Sequence, residues 1–147
     1  MIAIFFIDKI GRRKLMLIGS WGLIVTLGLV AYSFFSKNLS GYYITVYLSL
    51  FIGFFAFSQG AVIWVFIAEI FPNQVRAKGQ SLGSFTHWIM AALIANTFPF
   101  FAERLGGGVT FSFFAIMMVF QLLFVWKLMP ETKGKTLEGI EHTLMVH

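Results

Sequence analysis

Residues 59–76 read QGAVIWVFIAEIFPNQVR, an apolar run holding Trp64 that runs out through Glu69, Pro72 and Arg76. The run extends a charge-free stretch, residues 38–68, and residues 15–36, 79–102 and 105–126 are equally free of Asp, Glu, Lys and Arg. At about 1.5 Å per helical residue, each stretch can cross roughly 30 Å of hydrocarbon. Soluble helices that bury one face alternate polar and apolar residues at a period near 3.6, whereas these are apolar on nearly all sides. The reading is an all-α membrane protein with four complete transmembrane helices.

Composition points the same way: 59% of the 147 residues are hydrophobic, 19 are Phe, and the mean hydropathy is +0.84. Cysteine is absent, which excludes a disulfide framework and thiolate chemistry. The opening MIAIFFI is a short apolar run followed directly by an acid and a basic cluster, without a small-residue cleavage site. It reads as the last turns of a helix rather than a signal peptide.

Charge sets the orientation. If the spans alternate, Lys9, Arg12, Arg13, Lys14, Arg76, Lys78, Lys127, Lys133 and Lys135 fall on one side, against Lys37 and Arg104 on the other. The positive-inside bias makes loops 8–14 and 72–78 and the C-terminus cytoplasmic. Anionic lipid beside those loops accounts for the net charge of +5, and no nucleic-acid surface is needed.

The spans differ in kind. Gly19, Gly22 and Gly28 in the first span allow close helix contact. Tyr42 and Tyr43 sit at the outer interface, where a ring with a hydroxyl suits both phases. The second span, residues 44–70, is long enough to cross at a tilt or with a break. An unpaired amide in hydrocarbon is costly, so Gln59 should face protein or water. Pro72 ends the helix. Glu69 and Arg76 flank that end within reach of each other, as a static clamp on the turn or as a cytoplasmic latch that releases when a helix shifts.

In the third span His87 follows Ser84 by three residues and precedes Trp88. A polar group at mid-membrane is a pathway or binding-site candidate, and its alternative is a structural histidine bonded to a neighbouring helix. No acid in the crossings supports proton transfer at His87. Gln121 in the fourth span reads as a packing contact. Pro130 stops the last helix, and residues 130–147 form a cytoplasmic tail in which Thr136, Glu138 and Glu141 permit a short amphipathic helix. There is no phosphate-binding glycine loop or Ser-His-acid set, and His87, His142 and His147 are too scattered for a metal cage, so no enzyme, cofactor or metal site is expected.

DKIGRRK at 8–14, GAVIW at 60–64, EIFPNQVR at 69–76 and PETKG at 130–134 together resemble the sugar porter branch of the major facilitator superfamily, in family order and at family spacing. The resemblance implies that residues 1–147 are a partial C-terminal transmembrane domain of a twelve-helix transporter, holding the end of helix eight and all of helices nine to twelve. It implies alternating-access transport of a monosaccharide, hexose or pentose, in a bacterial inner membrane, leaves proton coupling open, and places the missing N-terminal helices as partners. Trp64 corresponds to the helix-ten tryptophan that packs on sugar. His87 stands where relatives place a sugar-contacting amide, beside Trp88, and with Gln59 these form the candidate substrate-binding set. Asp8, Arg12, Arg13, Glu69, Arg76 and Glu131 correspond to a conformational charge network. Ala61 stands where the family has a proline, so this helix is expected to bend less. A transporter of non-sugar solutes and a non-transporting membrane remnant or accessory subunit are the competing readings.

Overall fold

A computed structural model describes residues 9–36 and 41–133. Five helices account for nearly all of them: α1 (Arg12–Phe35), α2 (Gly41–Phe57), α3 (Gln59–Ile70), α4 (Arg76–Leu105) and α5 (Gly107–Lys127). They make four crossings, because α2 and α3 are the halves of one 30-residue span, Gly41–Ile70. All four spans agree with the charge-free stretches to within a few residues. Asp8, the opening residues and the tail beyond Lys133, including the expected amphipathic helix, lie outside the described residues.

The bundle is built round α1. More than half of its most apolar stretch, 56%, is buried, against none of that of α4. It packs most extensively on α5 and then on α2. Two glycines make the second contact possible: a β-carbon on Gly19 would fall on the Ser58 hydroxyl, and one on Gly22 would lie 2.3 Å from the Phe54 ring. Gly28, the third glycine of that span, has open space beside it and plays no such part.

The long span breaks at Ser58, whose φ of −109° and ψ of −85° leave the helical region. Its amide still donates to the Phe54 carbonyl at 3.1 Å, and the Val62 amide donates to the Ser58 carbonyl at 2.8 Å. The Ser58 side chain is fully buried and its hydroxyl donates to the same Phe54 carbonyl at 2.6 Å. Ser58 therefore divides the helix three residues ahead of Ala61, and the missing proline does not keep this span straight. Pro99, in contrast, lies inside the unbroken α4.

A buried core lies near the end of the bundle that carries most basic residues. Leu15 and Met16 of α1, Val62 of α3 and Val125 of α5 meet Met129, with Val65 and Phe66 packed against them. Removing such side chains from contact with polar surroundings contributes about 1.5–3 kcal/mol each in water, less where lipid is the alternative. That core fixes where α3 ends, and with it where Glu69 points.

Candidate functional site

The first cluster is ionic. Glu69, in the last turn of α3, receives the Arg12 guanidinium as a fork, with Nε to Oε2 at 3.1 Å and a terminal nitrogen to Oε1 at 2.7 Å. The Thr132 hydroxyl donates to Glu69 Oε2 at 2.6 Å. Two parallel charge-assisted bonds are stronger and more directional than a single contact. The Arg12 side chain is only 11% exposed and Glu69 29%, so water screens the pair less than a surface ion pair.

Glu131 completes the cluster from the other end of the chain. Its oxygens accept the backbone amides of Arg12 at 2.9 Å and Arg13 at 3.2 Å, the first unpaired donors of α1. A carboxylate there also complements the positive end of the helix. Gly11 makes room for it: its φ is +100°, and a β-carbon would lie 2.7 Å from Glu131 Oε2. The Arg13 guanidinium donates to the Trp126 carbonyl at the end of α5. Arg76 stands apart from this knot. Its Nε donates to the Phe71 carbonyl at 3.4 Å, and the expected partnership of Glu69 with Arg76 is replaced by Glu69 with Arg12. The turn after Ile70 carries Arg76 onto its own backbone, while the start of α1 is brought under the end of α3.

The second cluster is aromatic. The Trp64 indole meets the His87 imidazole edge to face, with centroids 5.0 Å apart at 69°, and His87 meets Trp88 in the same manner at 5.6 Å and 81°. Trp64 is 40% and Trp88 65% exposed, so the cluster presents ring faces and a polar imidazole at one surface of the α3–α4 pair. Such a surface offers apolar contact and hydrogen bonding together, which suits a molecule with one hydrophobic face and many hydroxyls. Close approach of the helices supports it, because a β-carbon on Gly83 would lie 3.1 Å from Ile67.

Gln59 joins neither cluster. Its Nε2 donates to Gln121 Oε1 at 2.9 Å, tying α3 to α5. At 100° per residue it lies about 140° round the helix from Trp64. The partners that sequence reading missed are Thr132 and Gln121. Thr132 lay inside a recognised motif, and Gln121 was the one amide in its span, as Gln59 was in the α2–α3 span. Among the described residues no group of three or more His, Cys, Asp or Glu could hold a metal ion.

These features define a multi-pass integral membrane protein with an ionic knot at one end and an aromatic face between two helices. The chain belongs to the sugar transporter family: the profile described as "Sugar (and other) transporter" matches residues 1–144. It is 34% identical to a glucose transport protein of Synechocystis over 94% of this chain and 32% of that protein. It is 37% identical to an arabinose-proton symporter of Bacillus subtilis, over 95% of this chain and 30% of that protein. Among solved structures, the inward-open xylose transporter XylE of Escherichia coli matches with a TM-score of 0.88 and 33% identity, covering 97% of this chain and 32% of that one. The chain thus spans about a third of the length of the curated relatives it matches. The fold is accordingly that of part of a major facilitator bundle, and the family is one of transporters rather than enzymes.

Proposed function

We propose that this chain forms part of a transporter that carries a monosaccharide across a membrane by alternating access, together with a proton. The observation that carries the reading is the Trp64–His87–Trp88 face, set on two helices of a family whose relatives are named for glucose, arabinose and xylose. In this reading a sugar stacks an apolar face on Trp64 and exchanges hydrogen bonds with His87, and Trp88 walls the site. The relatives named as proton symporters support coupling to a proton.

The Arg12–Glu69–Thr132 knot holds the cytoplasmic end closed in one state and opens in the other. Glu131 and Arg13 brace it. Eight of the nine Lys and Arg among the described residues lie at that end of the spans, which supports its cytoplasmic placement.

The test is uptake of labelled hexoses and pentoses by cells making the protein as its own gene encodes it, with unlabelled sugars and organic acids as competitors. Saturable uptake blocked by monosaccharides and abolished by a protonophore is expected. Competition by organic acids but not by sugars would overturn the assignment of substrate.

A further inference from the structure

We infer that Gln121 is a positioning residue, which holds the Gln59 amide and thereby sets the rotation of α3 that turns Trp64 toward His87. The inference rests on the reading of Trp64 and His87 as the sugar face. Three observations combine in it.

First, the break at Ser58 changes the course of the helix ahead of α3, although backbone bonds still link its two halves. A continuous helix would fix the direction of Trp64 from the packing of α2, but φ and ψ at Ser58 leave the helical region immediately ahead of Gln59. Second, although Val62 meets Val125 in the core, packing between α3 and α5 is incomplete beside Gln59 and Gln121. The backbones of these two helices are not among the closely packed pairs, and two apolar cavities flank the contact. One, of about 270 Å³, has Gln59 as its polar lining residue; the other, of about 240 Å³, has Gln121. Third, the Gln59–Gln121 bond crosses between these cavities at 2.9 Å, a directional contact where van der Waals contact is incomplete. Among apolar side chains an amide left without a partner is costly, which favours the pair. Glu69 ties the far end of α3 to Arg12 and Thr132, so the half-helix is pinned at both ends. Trp64 lies between the pins.

The experiment reads the setting of α3 without sugar. A β-carbon on Gly83 would lie 3.1 Å from the Ile67 side chain, so the pair Ile67→Cys and Gly83→Cys reports α3–α4 register by disulfide formation. This chain contributes no other cysteine, and any elsewhere in the protein are replaced by serine. Gln121→Leu is expected to lower the disulfide yield about three-fold and to raise the KM for sugar about three-fold, the shift that loss of one interhelical amide bond in a membrane gives. Gln121→Glu, whose carboxyl keeps an acceptor for the Gln59 amide, restores both values. The double variant Gln59→Leu with Gln121→Leu strands no amide in the membrane and still shows the low yield.

An unchanged yield in Gln121→Leu overturns the inference. So does an equal loss in Gln121→Glu, which would assign the effect to volume, and so does recovery in the double variant, which would assign it to the stranded Gln59. Absence of sugar uptake in the unaltered protein defeats the reading of the sugar face, while the disulfide yield still decides whether Gln121 sets the register of α3.

Discussion

At the basic end of the bundle Glu69 accepts three side-chain hydrogen bonds, all at 3.1 Å or less, from residues 57 and 63 positions away. Five residues earlier on the same helix, Trp64 meets His87 through ring edges, with centroids 5.0 Å apart and much of the indole exposed. The ionic region is satisfied from within the chain. The aromatic region leaves its faces open, so it can give most of its contact energy to something else. Side chains that are saturated with partners stabilise a state, and side chains that are ordered but unsaturated are available to bind. One half-helix, α3, carries both kinds.

Four substitutions test this division. Glu69→Ala should have the largest effect, because it removes the carboxylate that takes the forked Arg12 guanidinium and the Thr132 hydroxyl in a poorly exposed setting: a loss of about 3 kcal/mol is expected, read by thermal unfolding in detergent. A small effect there would mean that the knot is no stronger than a surface ion pair. Gly11→Ala follows at about 2 kcal/mol in the same assay, since the new β-carbon meets both a left-handed backbone and the Glu131 carboxylate. Trp64→Ala should leave the melting temperature nearly unchanged and raise the KM for sugar about tenfold, equivalent to ~1.4 kcal/mol. If instead it lowers stability without touching KM, the aromatic face is structural and the contrast between the regions collapses. Thr132→Val comes last, at about 1 kcal/mol for one lost hydrogen bond, and a double-mutant cycle with Glu69→Ala should show that the two effects are coupled.

Much of the fold was legible in the sequence for a simple physical reason. Hydrocarbon tolerates no charge, so the gaps between charged residues mark the crossings whatever the tertiary arrangement. The aromatic face was legible for another reason: Trp64 falls within a motif that the family shares, His87 is an isolated titratable group within an apolar crossing, and the α3–α4 turn brings them together. The choice of ionic partner was not legible. Arg76 is seven residues from Glu69 and Arg12 is fifty-seven away, yet the core of Leu15, Met16, Val62 and Val125 places the start of α1 under α3 and so selects Arg12. Chain distance carries no record of that packing.

The break in the long span was hidden for a related reason. Ala61 in place of proline suggested a straighter helix, but the distortion belongs to Ser58, buried against Gly19 of another helix. Gln59 and Gln121 show what more could have been read. Each was the isolated amide of its crossing, and the penalty for an unpaired amide in lipid argues that two such residues find one another. Only the helix order needed to pair them was missing.

The cap on α1 also bears on how the protein is made. Glu131 reaches the amides of Arg12 and Arg13 across 119 and 118 residues of chain. During synthesis the start of α1 emerges first and its end amides stay uncapped until every later crossing has been translated. Synthesis through α5 as far as Glu131 is therefore the event that seals the start of α1.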